Sequence, residues 1–375
     1  MKIILLDTYY PRFLERFYAA HPGQEASPYA TQVDDLLAQC FGTSDYYSSH
    51  LRAMGHDAWD LIVNCAPLQT RWADERGVRY SNLAIKMPQH LLRLPVIGPR
   101  LSSLSGLVEI AVAQIKDARP DVLYCQDLWF LPPYRMQELR PYVKRIVGQI
   151  ASPLPPKPYL QAYDLILTSF PHFVPRLQAL GIASEYFRIG FDPRVLQAIG
   201  PVVKDVDVSF VGGISRHHGK ALPMLEHLVR QTPIEFFGYG SDSLPSASPI
   251  KVRHHGEVWG LDMYRALARS RVTLNRHINV AENYANNMRL YEATGVGTLL
   301  ITDAKDNLGE LFDVGKEVVA YRNQNEAVEL IDYYLRNPEE AAQIATTGQQ
   351  RTLREHSYQA RMVDLEKTLM QYLGG

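Results

Sequence analysis

Short apolar runs recur along the whole chain, separated by longer segments with helical period. A run this short closes one strand and no more. Its regular alternation with helix-length stretches therefore predicts an α/β architecture with mainly parallel sheets. In the first half the expected strands are KIILLD (2–7), DLIVNC (60–65), DVLYCQ (121–126), RIVGQI (145–150) and DLILTS (164–169). A second series follows as DVSFVGG (207–213), IEFFGYG (234–240), VTLNRH (272–277), GTLLITD (297–303) and EVVAY (317–321).

Between the two series lies GFDPRVLQAIGPVVKD (190–205), with Gly, Pro and no strong period, which reads as an interdomain hinge. The expected domains are 1–192 and 206–358, with a C-terminal helix over 359–375 expected to pack back on the first domain. In LSGLVEIAVAQIK (104–116), Leu104, Leu107, Val108, Ala111 and Ile115 share one face, so it should be a helix packed on a sheet. The prolines of SPLPPKP (152–158) lack an N–H and predict a loop directly after a strand. From 325 onward the pattern is helical, and Pro338 should open a new helix. Two α/β domains joined by one linker create a cleft between the carboxyl ends of two sheets, where ligands of open parallel sheets sit.

Composition narrows the partners. The chain has 375 residues, 46% of them apolar and 21% charged, enough for a real core in each half. Lys plus Arg number 39 against 40 Asp plus Glu, so neither nucleic acid nor an anionic membrane is expected as the main partner. No segment approaches the roughly 20 continuous apolar residues of a transmembrane helix. The run after Met1 is too short for a signal peptide. Cys40, Cys65 and Cys125 are odd in number and show neither a C-x-x-C pair nor a His at ligand spacing. The expectation is a reduced cytoplasmic protein without a structural metal.

The strand ends carry the chemistry. GGISRHHGK follows the first strand of the second half and holds Gly212, Gly213, Arg216, Gly219 and Lys220. Glycines let backbone N–H groups approach an anion, Arg216 can fork onto phosphate oxygens and Lys220 acts as a point charge. A plain glycine turn with two solvated cations is an equally good account. GEVWG (256–260) precedes a helix bearing Leu261, Tyr264, Leu267 and Ala268, and its backbone can read a nucleobase edge or simply connect strand to helix.

In NNMRLYEATGVGTLLITD (286–303), Asn287 suits an N-cap, and Arg289 and Glu292 lie three apart on one helical face. The bland account is a solvent-exposed ion pair. The functional account has Arg289 meet phosphate while Glu292 accepts hydrogen bonds from a vicinal diol.

SFVGGISRHHGK, HHGEVWGLDMYRALARSRVTLNRH and NNMRLYEATGVGTLLITDAKDNLGELFDVGKEVVAYRN together resemble the C-terminal domain of GT-B glycosyltransferases. The group most resembled is the one named after the spore-maturation protein CgeB, with a more distant similarity to the large retaining family four. The similarity runs over about 206–358 and, more weakly, through FGTSDYYSSHLRAMGHDAWDLIVN and DVLYCQDLWFLP. It implies two Rossmann-like domains with parallel sheets facing across a cleft, and a metal-independent transferase of the hexosyltransferase type with no cofactor. A nucleotide-diphospho-sugar is the implied donor, with UDP among the carriers expected and the base and sugar left open, and the acceptor is left open between saccharide, lipid-linked and protein substrates.

Residue by residue, the resemblance implies that Arg216 and Lys220 face the diphosphate, where the glycine loop and the helical face also place Gly213 and Arg289 as candidates. Glu257, Val258 and Glu292 hold the nucleoside, and Tyr284, Asn286 and Asn287 border the donor sugar. Gly297 corresponds to the glycine beyond the motif helix. Family four has its first motif Glu where this chain has Tyr284, with Glu282 two residues off register, so retention or inversion is left open.

Inversion would need an acceptor-side base. Asp127, two residues past Cys125, is the first choice, with Asp7 and His172 as further strand-end candidates. Structural capping is the competing account for each. Tyr9, Tyr10, Tyr18, Tyr29, Tyr46, Tyr47, Phe13, Phe17 and Phe41 crowd the first fifty residues as either a sugar-stacking platform or core. Two other functions fit the same architecture. One is a nonhydrolysing nucleotide-sugar epimerase, and the other is a nucleotide-sugar-binding protein without turnover.

Overall fold

The computed structural model describes residues 1–81, 105–214 and 222–373. The chain divides into two compact units, Met1–Phe187 with Met362–Gly375, and Arg188–Arg361.

The first unit is built on a parallel six-stranded sheet of order β2-β1-β3-β4-β5-β6. Its strands are β1 (Lys2–Asp7), β2 (Asp57–Ile62), β3 (Val122–Cys125), β4 (Arg145–Ile150), β5 (Leu165–Thr168) and β6 (Ser184–Tyr186). The strand expected over 60–65 is displaced: β2 starts earlier because it registers on β1 from Lys2↔Asp57 to Asp7↔Ile62. Two aspartates break up its apolar pattern, and the Asp60 carboxyl, which accepts from the Ser48 hydroxyl, is pushed up by burial to about 8. β6 has only three residues and no apolar run, so no periodicity marks it.

The helix expected over 104–116 spans Gly106–Ala118, with Ser105 as its N-cap; Leu104 lies outside the described residues. The Pro-rich loop after β4 runs into a short helix, Lys157–Leu160, because Pro158 is tolerated in a first helical turn.

The second unit holds a parallel five-stranded sheet of order β11-β10-β9-β7-β8. Its strands are β7 (Val206–Val211), β8 (Ile234–Phe237), β9 (Ser270–Asn275), β10 (Leu299–Asp303) and β11 (Val319–Tyr321). Val208, Ile234, Phe236, Val272, Leu274, Leu299 and Ile301 form the centre of its core, all at most 1% exposed.

Residues 190–205 show no strong period in the sequence, yet part of the segment is helical. Arg194–Ile199 forms a short helix, started by the buried Asp192 carboxylate accepting from the Arg194 N–H at 2.9 Å. Six residues are too few for a period to show. Helices Gln324–Arg336 and Pro338–Glu355 follow β11, the second opening on Pro338. The last helix, Tyr358–Leu373, begins in the second unit, where the Tyr358 N–H donates to the Phe191 carbonyl at 3.0 Å. From Met362 it belongs to the first unit, where Glu366 pairs with His56 at 2.7 Å.

In both sheets the strand order reverses next to the first strand, between β1 and β3 and between β7 and β9. Open parallel sheets bind ligands outside the carboxyl ends of the strands at such a reversal.

Candidate functional site

In the second unit the loops after β7 and β8 continue the sheet beyond its strands. The Gly212 N–H donates to Phe237 O at 2.9 Å, and the Ile214 N–H donates to Tyr239 O at 2.7 Å. A Cβ on Gly213 would stand 2.4 Å from the Tyr239 ring, and one on Gly240, at φ +95°, would stand 2.2 Å from the Ile214 carbonyl oxygen. These glycines are required by the close approach of the two loops, whatever else their N–H groups do. Arg216 and Lys220 lie outside the described residues.

Tyr239 stacks on Trp259, with centroids 5.4 Å apart and planes at 12°. The Trp259 indole N–H donates to Glu257 Oε2 at 3.3 Å, which folds the side chain of the 256–260 loop onto the aromatic pair. Glu257 and Val258 are half-buried there, and helix Gly260–Arg269 begins immediately after.

The helix expected after 287 spans Met288–Gly295, and Asn287 is its N-cap, its side chain accepting from the Leu290 N–H at 3.3 Å. Asn287 also exchanges amide hydrogen bonds with Asn275 at the end of β9, at 2.9 and 3.3 Å. Asn286 is buried, and Tyr284 is half-buried at the end of the turn that follows Asn279–Ala281. This turn is strapped to the loop after β10. Lys305 Nζ donates to Glu282 O at 2.7 Å, and Asn307 both accepts from the Ala285 N–H and donates to its carbonyl, at 2.6 and 3.1 Å. Glu282 holds φ +50°, a left-handed conformation uncommon for Glu. Gly297, at φ +75°, closes the motif helix where other residues would be strained.

The solvent-exposed account of Arg289 and Glu292 does not hold. Every residue from Leu290 to Val296 is buried, since helices Gly260–Arg269 and Pro338–Glu355 and strand β10 enclose this helix. Arg289 Nη1 lies 2.8 Å from Glu292 Oε2, with the two side chains 14% and 7% exposed. Burial raises the Glu292 carboxyl above its ordinary value, and the Arg289 charge opposes that rise. Both terminal guanidinium nitrogens of Arg289 rest 3.3 Å from Met263 Sδ.

One further pair has only a faint sequence signal, a His two residues past a strand end beside an Asp ending the neighbouring strand. His277 Nδ1–H donates to Asp303 Oδ1 at 2.7 Å, and the His277 backbone N–H donates to the same oxygen at 3.0 Å. Burial would raise the Asp303 carboxyl, but His277 and Lys305 outweigh it and hold it at about 2. The pair ties the segment after β9 to the end of β10.

The first unit presents its own group at the β1/β3 reversal. Asp127 accepts from Thr8 Oγ1–H at 2.8 Å through Oδ2, which ties the ends of β1 and β3 together, and from the Trp129 N–H at 2.8 Å through Oδ1, which shapes its own loop. Asp7 is pushed up to about 7 by burial, with the Asp127 charge adding to the rise and the Thr8 N–H opposing it. His172 sits between Phe170 and Phe173, centroids 5.4 and 4.8 Å away.

The early aromatics resolve mostly as core. Tyr9, Phe13, Phe17, Tyr46 and Tyr47 are at most 5% exposed, while Tyr10 is 50% exposed. Among the described residues no group of three or more His, Cys, Asp or Glu is arranged to hold a metal ion, and no helix is long and apolar enough to cross a membrane. The three cysteines form no disulfide.

Residues 216–367 match the family model described as glycosyl transferase-like. None of the curated proteins matches the chain. Among solved structures it is similar to sucrose-phosphate synthase from Thermosynechococcus elongatus, at 12% identity and TM-score 0.60, covering 100% of both chains. It is also similar to Anabaena HepE in complex with UDP-glucose, at 14% identity and TM-score 0.62, covering 99% of this chain and 100% of that one. A glycosyltransferase from Rickettsia africae aligns at 11% identity and TM-score 0.57, covering 99% and 98%. These likenesses show the fold, which is GT-B.

Proposed function

We propose that this chain, which carries a glycosyltransferase domain on the GT-B fold, transfers a sugar from a nucleotide-diphosphate donor bound by its second unit. One observation carries the reading. Glu292, in the segment that matches the glycosyltransferase model, is a buried carboxylate reached by no described polar group but Arg289. A buried carboxylate normally satisfies several lone pairs. One left with so few partners suits a ligand that brings O–H groups of its own, and a ribose diol does so.

Around that group the proposed division of labour is chemical. Tyr239, Trp259, Glu257 and Val258 face the base, and the glycine loop after β7 with Arg216 and Lys220 takes the diphosphate. The strapped turn carrying Tyr284 and Asn286, with Asn287 behind it, borders the sugar. Fixed cations and the N-terminus of the following helix would then stabilise the departing diphosphate without a metal ion. UDP is the first carrier to try, because the similar HepE structure holds UDP-glucose. A hexosyl donor and membership of the CgeB-like group belong to the same proposal.

For the acceptor we assign Asp127 as base, oriented by Thr8 and Trp129 with Asp7 beside it.

Incubation with a panel of nucleotide sugars tests the reading. Slow release of free sugar and nucleoside diphosphate is the expected result. An altered sugar on an intact diphosphate would indicate an epimerase instead, and binding without either product a protein that has lost turnover.

A further inference from the structure

The position of Arg289 on its helix suggests a phosphate contact, and its surroundings argue for another task. Its side chain is 14% exposed, the guanidinium is paired with Glu292 at 2.8 Å, and both terminal nitrogens lie on the Met263 thioether at 3.3 Å. A thioether is a weak acceptor, so Met263 serves as a wall that fixes the plane of the guanidinium. The single strong partner of Arg289 among the described residues is the carboxylate three positions on.

From the side of Glu292 the relation is reciprocal. A carboxylate has about four acceptor positions, and Arg289 takes one of them. Among the described residues no other N–H or O–H reaches Glu292, and Leu290, Tyr291, Ala293 and Thr294 around it are buried. Such a group keeps its negative charge only with a compensating cation beside it. Were it to take up a proton, it would gain a donor and lose acceptor capacity, and so bind a diol less well.

We propose that Arg289 is a positioning residue for nucleoside recognition: it fixes the Glu292 carboxylate for the two ribose hydroxyls and does not itself bind the diphosphate. The proposal rests on the reading of Glu292 as the ribose ligand. It changes what selects the nucleotide. Discrimination between ribose and deoxyribose then belongs to a buried pair on one helix, braced by Met263 from the neighbouring helix, and not to the carboxylate alone.

The test compares the ribose and 2′-deoxyribose forms of whichever of UDP, GDP and ADP binds the wild-type chain, together with the matching free nucleoside. Dissociation constants are measured by calorimetry for wild type, Glu292→Gln, Arg289→Met and Arg289→Lys. Wild type should prefer ribose by about tenfold or more, as one charge-assisted hydrogen bond allows. Arg289→Met should lose that preference to within about twofold while keeping the gain of the diphosphate over the free nucleoside. Arg289→Lys, which restores the charge without the fork, should recover part of the preference. A merely structural loss would weaken both sugar forms alike and leave their ratio intact.

Two results overturn the proposal: an Arg289→Met chain that keeps the ribose preference, or one that loses the diphosphate gain. If Glu292→Gln itself keeps the wild-type preference, or if none of the three nucleotides binds, the nucleoside reading falls, which is a different failure. Should Arg289→Met not fold because Glu292 is left buried without its partner, the double variant Arg289→Met/Glu292→Gln removes both charges. Its ribose preference should equal that of Glu292→Gln alone, and a lower one would count against the coupling.

Discussion

Asn287 and Asn275 bind each other through both halves of their amides. Asn287 donates to Asn275 Oδ1 at 2.9 Å, and Asn275 donates back to Asn287 Oδ1 at 3.3 Å. Asn275 also donates to Thr302 Oγ1 at 2.9 Å, so the cap of the motif helix is bolted to the ends of β9 and β10. The helix that carries Arg289 and Glu292 is thereby placed by hydrogen bonds whose geometry admits little slack.

Asn287→Ala removes the cap and leaves the Asn275 carbonyl without its donor. A loss of about 2 kcal/mol in unfolding free energy is expected by denaturant titration. Asn287→Asp keeps the acceptor for Leu290 but cannot donate, so it should recover only part of that. Equal losses in the two variants would show that the cap alone matters.

Glu292→Ala should weaken nucleotide binding by about 1–3 kcal/mol, provided the ribose hydroxyls lose their acceptor. Circular dichroism should show an intact fold. Unchanged affinity by calorimetry would remove Glu292 from the site.

His356 predicts an acid-sensitive second unit. Its ring is 1% exposed, its Nε2–H donates to Leu311 O at 2.8 Å and its Nδ1 accepts from Arg361 at 3.0 Å. Burial chiefly, with the Arg361, Arg351 and Arg188 charges, pushes it down from 6.5 to about 4. The unfolded chain therefore binds the proton first, and stability present above pH 6.5 is lost as pH falls toward 4. The expected loss is on the order of 3 kcal/mol. His356→Gln should be less stable at pH 7 and show a shallower acid slope, so an unchanged slope would contradict the assignment.

Asp7 works in the opposite sense. Its carboxyl is raised to about 7, so its contribution is present in full below the ordinary 3.8 and lost as pH rises through 7. Asp7→Asn keeps an acceptor for the Thr8 N–H and never ionises. The variant should melt above wild type at pH 8, with a smaller difference at pH 5. A difference that does not change with pH would mean the carboxyl titrates normally.

Gly213→Ala would drive a methyl into the Tyr239 ring, 2.4 Å from its nearest atom. Moving that ring breaks the stack on Trp259, so nucleotide affinity should fall along with about 1–3 kcal/mol of stability. Gly309→Ala, where a Cβ would meet nothing within 4 Å, is the control and should leave both unchanged.

Elements with a strong period are legible in the sequence. KIILLD and RIVGQI coincide with β1 and β4, and the Pro338 helix begins on its proline. β2 departs from the run at 60–65 because its boundary is set by the register with β1 and not by its own apolar pattern. β6 and the Arg194–Ile199 helix are too short to repeat any period. Of the site, Asn287 as a cap follows from its residue type just ahead of an amphipathic run. The His277–Asp303 pair joins residues 26 apart in sequence, brought together because they end adjacent strands, and no local pattern encodes that.

By itself, then, the sequence determined the alternation of strands and helices, the parallel sheets that follow from it, and which polar residues end the strands. Those are consequences of period and residue type, which are local. Whether a given polar residue meets water or protein depends on what the rest of the chain lays over it. Arg289 and Glu292 have the spacing of an ordinary exposed pair; two helices and a strand folded around them make the pair buried, and burial is what leaves the carboxylate with acceptor positions that no surrounding group fills.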